Sequence, residues 1–417
     1  MGKAQVKKTL SLFAIAAISL ILFACQNRPP AGQNLSGRII VWHSWNSTET
    51  AVLEDVFKRF EEINPGVTII RLALAPQDLL FRFRQSAQEG VGPDLLIGSD
   101  DWIQELVDAR LIRPYISDGT VPVSALAQQA ISYQGEWYGL PISLHPYALY
   151  YNKSQVEDSP ARTLDDLLLQ AAEGQRVAFV PRFEDAYWGI RTTGSNLFDP
   201  AGNLDLANSG LVPWLAWLTM AQNRPGIILN VDEASLQELF MEGRVAYFVA
   251  GPDKQALFES VMGEDAFGVA TLPSGPSGTA GPLLPVEMMY LYEYSSPQQA
   301  VLARVLAEFL SNQQQGIRFM RDLARVPANP LITVDARIYP NVSGFSRQAN
   351  TAVVLPNFWD KASLIAAGNR AYAAALSGAL TPESAVCIFG QEVVAAQPAA
   401  ADRVILPANC TLPAGSP

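Results

Sequence analysis

Residues 38–74 read RIIVWHSWNSTETAVLEDVFKRFEEINPGVTIIRLAL. Ile39, Ile40, Val41 and Trp42 form a short unbroken apolar run, the mark of a buried strand. Asn46-Ser47-Thr48 is a polar turn. Beyond it Leu53, Val56, Phe57, Phe60 and Ile63 recur at the spacing of one buried helical face. Asn64-Pro65-Gly66 stops that helix, and Val67 to Leu74 predicts the next strand. The pattern continues outward: a helix over 78–88 ending at Glu89-Gly90, a strand at Asp94-Leu95-Leu96-Ile97 after Pro93, and a helix from about Asp101. Strand, helix, strand, helix, strand predicts an α/β fold with a mainly parallel sheet.

A second α/β unit is expected after Pro141. Its strands are predicted at 148–151, 177–180, 245–249, 267–271 and 288–292. Thr163 followed by Asp166 reads as a reciprocal cap at a helix start. Further helices are expected at 211–222, 235–241, 298–310, 315–323, 362–376 and 382–394. Residues from Pro398 onward read as a Pro/Ala-rich tail.

The 417 residues suit two or three domains at roughly 100–200 residues each. An apolar share of 49% excludes disorder for the bulk of the chain. The net charge of −11 has the wrong sign for nucleic acid or for docking on anionic lipid through a basic patch. Three cysteines are too few for a disulfide scaffold, and they show no zinc spacing. With only two histidines, His43 and His145, a His-rich metal site is excluded. No metal and no cofactor are expected.

Lys3, Lys7 and Lys8 precede an uncharged run over 9–24, the pattern of a secretory signal. The run is shorter than the ~20 apolar residues of a spanning helix. Its end, Leu22-Phe23-Ala24-Cys25, resembles the bacterial lipobox, in which the cysteine is acylated and becomes the new N-terminus. Residues 1–24 are then a leader and 25–37 a polar tether. Loss of the leader removes three lysines and no acid, so 26 bases face 40 acids and the mature charge is −14.

Six segments, in order, carry a wider resemblance. They are 41–45 (Val41-Trp42-His43-Ser44-Trp45), 60–67 (around Asn64-Pro65-Gly66), and 92–102 (Gly92-Pro93-Asp94 through Trp102). The others are 135–153 (Trp137-Tyr138-Gly139 through Lys153), 240–252 (Glu242-Gly243-Arg244 through Pro252) and 376–383 (Ser377-Gly378 through Glu383). Together they resemble the extracellular solute-binding proteins that serve ABC importers, in the sugar-binding branch typified by maltose-binding protein. The resemblance implies two α/β lobes joined by three crossings, near Leu144, Pro285 and Pro340. The first lobe would hold 38–144 and 286–339, the second 145–285 and 340–397, with 398–417 as the tail. It also implies a monomeric, lipid-anchored receptor that takes a carbohydrate between the lobes, closes on it and delivers it to permease subunits.

A sugar needs polar side chains for its hydroxyls and aromatic rings for its C–H faces. Trp45 is the first candidate ring, flanked by His43 and Asn46. Asp101 falls where the branch binds hydroxyls, and also suits a helix N-cap. Trp102 stands where the branch has an arginine, and His145 where it has a cleft glutamate. Tyr187 and Trp188, after Glu184 and Asp185, match an aromatic pair in the second lobe. Asp253 follows Gly251-Pro252, and Glu287 lies beside the second crossing. Gly98, Asp253 and Ile365 stand where the branch carries stacking tryptophans. Their loss leads to the expectation of a mono- or disaccharide over a long maltodextrin. Alternatives are a peptide, a polyamine or another small solute on the same scaffold, or, more remotely, a secreted carbohydrate-active enzyme using a carboxylate pair. Outside the reducing cytoplasm, Cys387 on the last helix and Cys410 in the tail could bridge.

Overall fold

The computed structural model describes residues 35–156 and 159–410. Cys25 and the leader lie outside the described residues. Two main sheets organise the chain. The first has seven strands. Ser36–His43 pairs in parallel with Gly66–Ala73 and with Leu95–Ser99. Val286–Tyr292 then adds antiparallel, followed by Leu140–Leu144 and Val326–Pro327, while Ile112–Arg113 pairs with the far end of Val286–Tyr292. The second sheet runs Ile227–Leu229, Val177–Phe179, Tyr247–Ala250, Ala148–Asn152, Phe267–Ala270.

Neither sheet is mainly parallel, which corrects the sequence expectation. Three strands of the first sheet, and three of the second, follow the strand–helix–strand rule and lie parallel. Of the others, Ala148–Asn152 and Val286–Tyr292 each follow a crossing from the opposite lobe and add antiparallel to their neighbours. The chain passes between the sheets three times: between Leu144 and Ala148, between Ala270 and Val286, and between Pro327 and the helix Pro340–Ala349. That helix packs on Phe267–Ala270 of the second sheet. Its sequence, PNVSGFSRQA, lacks a clean apolar period and was not anticipated. Gly344 allows the close approach, since a Cβ there would lie 2.4 Å from the Val269 carbonyl oxygen.

The helix Ser47–Ile63 follows from its own residues. Asn46 accepts hydrogen bonds from the N–H groups of Thr48 and Glu49, and Glu49 accepts in return from the Asn46 N–H. Leu53, Val56, Phe57 and Phe60 are buried against the first sheet, while Ile63 is exposed. Three apolar clusters result. One lies under this helix, one fills the far side of the second lobe, and the middle one takes residues from both sheets, Tyr290 and Tyr150 among them.

Two further expectations are revised. The first strand begins at Ser36, inside the stretch read as tether. The stretch read as a tail is docked as far as Cys410: Val404–Ile405 pairs with Leu204–Asp205, and Leu406 packs over Gly390. Cys387 and Cys410 are joined as a disulfide with Cα atoms 5.5 Å apart. No described helix is long and apolar enough to cross a membrane.

Candidate ligand-binding site between the lobes

The loop after Ser36–His43 ends at the base of the cleft, but its two rings face inward. His43 is fully buried, and its Nδ1 accepts the Trp45 N–H at 3.2 Å. Burial, and then the nearby Arg71 charge, hold its pKa down to about 4. Trp45 is 5% exposed. Its Nε1–H donates to Glu287 at 2.5 Å, the Phe319 ring meets it edge-on, and the Arg325 guanidinium covers a face. Trp45 is therefore a buried anchor, and the stacking role expected for it is corrected. The reason is tertiary: Glu287, Phe319 and Arg325, all distant in sequence, hold the ring against the helix Gln313–Leu323 and its C-terminal neighbour.

Tyr187 and Trp188 are corrected likewise. They sit in the 3₁₀ turn Tyr187–Thr193 at 1% and 0% exposure, wedged among Phe183, Phe179 and Trp214. The missing Cβ of Gly189 lets the Trp214 ring close over them. Trp102 is half-buried. It lies over Gly98, where a Cβ would fall 1.9 Å from the ring, and stacks on Tyr290.

Glu287 belongs to a buried polar hub rather than to the open cleft. It takes Trp45, the Ser143 hydroxyl and the Arg325 guanidinium, and Arg325 reaches on to Glu49 at 2.9 Å. Ser143 also bonds His145 Nε2 at 2.9 Å, while the His145 N–H donates to the Pro285 carbonyl. His145 thus stands on the first crossing, tied to the second. Burial first, then Arg325, hold its pKa down to about 4 against the opposing pull of Asp253. It is a neutral imidazole, able to donate and to accept.

Two cavities open between the lobes. One of about 690 Å³ takes Asn46 and Glu49 from the first lobe and Asp253 and Gln255 from the second. Asn46 is committed to its helix cap, and Asp253 pairs with Lys254 at 3.1 Å while remaining largely exposed. The other, about 190 Å³, is lined by Asp101, Tyr147, Glu184, Pro285, Lys361 and Ile365 among others. Here Asp101 receives the Ser99 hydroxyl at 3.1 Å, and Tyr147 donates to Asp185 at 2.8 Å. Asp101 also faces Lys361, whose Nζ lies 3.2 Å away. Asn46, Asp101, His145 and Asp253 are therefore the expected residues that the fold brings to the cleft or its hinge. Tyr147 and Lys361 were missed. Lys361 carried a signal: a cation in the first turn of a helix opposes the macrodipole and calls for an anionic partner.

Acids, an imidazole and apolar walls converge between two α/β lobes that share three crossings, a layout that grips a small solute through both lobes at once. The chain belongs to the bacterial extracellular solute-binding protein family, whose model matches residues 55–336. It is similar to the maltotriose-binding protein of Pyrococcus abyssi, 26% identical over 342 residues that cover 77% of this chain and 73% of that protein. It is also similar to the maltooligosaccharide ABC transporter solute-binding lipoprotein of Streptococcus pneumoniae, 25% identical, covering 67% of this chain and 70% of that one. The crystal structure of a cyclo/maltodextrin-binding protein complexed with maltotetraose shares the fold, with a TM-score of 0.76 and 22% identity, covering 88% of this chain and 98% of that chain.

Proposed function

We propose that this protein is the lipid-anchored receptor of an ABC importer and that it binds a maltooligosaccharide between its lobes. The observation that carries the reading is the match to relatives named for maltotriose and maltooligosaccharide, joined to cavities between the lobes whose walls offer Asp101 and Asp253 to a ligand's hydroxyls. An oligosaccharide replaces the mono- or disaccharide expected from the lost tryptophans. That expectation rested on three positions alone, and the ligands named for the relatives weigh against it. The larger cavity, about 690 Å³ between the lobes, also leaves room for more than one sugar unit. The lipobox at Cys25 supports the anchor, and the family supports a place outside the cytoplasm and a role of binding rather than catalysis.

A thermal-shift series with glucose, maltose, maltotriose and maltotetraose, beside amino acids and spermidine, tests the ligand class. A ligand that binds only the folded state raises the melting temperature with its concentration. The trisaccharide and tetrasaccharide are expected to give the largest shifts. A shift with spermidine or an amino acid and none with any sugar would overturn the reading. For the anchor, Cys25→Ser is expected to move the protein from the membrane fraction to the soluble one. Retention in the membrane would refute lipidation at that residue.

A further inference from the structure

Lys361 opens the helix Lys361–Leu376, which packs entirely within the second lobe. Its neighbour Asp360 caps the helix by accepting the Ser363 N–H, so the backbone at Lys361 is held in that lobe. The side chain nevertheless leaves it. Nζ lies 2.9 Å from Asp100 Oδ2 and 3.2 Å from Asp101 Oδ1, both on the turn that follows the first-lobe strand Leu95–Ser99. The lysine is 8% exposed and Asp100 2%. The other Asp100 oxygen accepts the N–H of Val286, the first residue after the second crossing. One buried group thus touches the second lobe, the first lobe and the hinge, and it lies on the wall of the smaller cavity.

A buried ammonium is costly unless its partners are in place. If the lobes separate here, Lys361 and Asp100 each lose the group that offsets that cost. Asp101 differs, since half its side chain stays exposed to the cleft. It receives Lys361 on one oxygen and Ser99 on the other, which fixes the plane of a carboxylate otherwise free to rotate.

We propose that Lys361 is the positioning residue that couples lobe closure to the sugar site. It ties the closed lobes together through Asp100 and, in the same act, sets the Asp101 carboxylate that accepts a ligand hydroxyl. The carbohydrate half of this inference rests on the function proposed above; the closure half does not.

Lys361→Met keeps the length of the side chain and removes the charge. In small-angle scattering of the sugar-free protein it is expected to enlarge the radius of gyration relative to wild type, while Lys361→Arg restores the wild-type value. A ligand whose competent state is only fractionally populated binds more weakly by that fraction, so maltotriose affinity is expected to fall about tenfold or more in Lys361→Met and to return in Lys361→Arg. Asp100→Asn, which removes the more deeply buried of the two carboxylate partners of Lys361 by a change on the other lobe, is expected to reproduce the enlarged radius, and it serves if Lys361→Met does not fold. Equal radii for wild type, Lys361→Met and Asp100→Asn would overturn the tie between the lobes. An enlarged radius with unchanged maltotriose affinity would overturn the positioning of Asp101. Failure of wild type itself to bind maltotriose would refute the ligand reading and leave the scattering comparison standing.

Discussion

The guanidinium carbon of Arg325 lies 4.0 Å from the centre of the Trp45 ring, over its face. That contact occupies a surface a sugar would need, and it links the loop after the first strand to the residue that leads into the strand Val326–Pro327. Arg325 is 8% exposed and also holds Glu49 and Glu287. Removing one partner from such a set leaves a buried charge behind. Arg325→Met is expected to lower unfolding free energy by about 3–5 kcal/mol. In urea unfolding the Arg325→Met, Glu287→Gln pair is expected to cost less than the sum of the single changes, because the two groups interact directly. Strict additivity would show that the ion pair carries little weight.

His43 makes stability depend on pH with a definite sign. Its folded pKa of about 4 lies below the 6.5 of the unfolded chain, so the unfolded state binds more protons between those values. Its contribution is complete above pH 6.5 and is lost as pH falls toward 4, by roughly 2–3 kcal/mol. The cause is burial first, with the nearby Arg71 charge acting in the same direction; the neutral Nδ1 accepts the Trp45 N–H. His43→Asn supplies an acceptor that does not titrate. Chemical denaturation from pH 7.5 to 4.5 is expected to show a shallower acid loss for this variant, and parallel curves would contradict the assignment.

Trp188 is a core residue by position, so its replacement reads out as stability rather than binding. Trp188→Ala is expected to cost about 3–5 kcal/mol. Titrated well below its melting point, the variant is expected to keep the wild-type affinity for maltotriose. A selective loss of affinity at normal stability would return Trp188 to the cleft.

The Cys387–Cys410 bridge closes a separation of 23 residues and holds the docked segment after Pro398. Cross-links of this span stabilise by about 3 kcal/mol in the chain-entropy model. Reduction is expected to lower the melting temperature, and Cys410→Ser to do the same without reductant. Two freely alkylated thiols in the native, unreduced protein, seen by mass spectrometry, would refute the bridge.

Much of the architecture was legible because it is local. Apolar runs and helical spacing located most of the strands and helices, and Asn46 with Glu49, or Thr163 with Asp166, marked helix starts by chemistry confined to four residues. Pro340–Ala349 escaped because its buried positions mix Asn341, Ser343, Gly344 and Gln348 with Val342, Phe345 and Ala349, which blurs the apolar spacing that marks a helix.

By itself the sequence determined the α/β alternation, the two units, the family and the neighbourhood of Asp101 and His145, all properties carried by short spacings and ordered motifs. Only the tertiary structure decided which way a side chain faces once lobes and crossings meet. It turned Trp45 under Arg325, buried Tyr187 and Trp188, placed the Trp102 ring over Gly98, and brought Lys361 across 260 residues of chain to Asp101. The physical reason is that burial and ion pairing are set by partners distant in sequence, which no short spacing or local motif records.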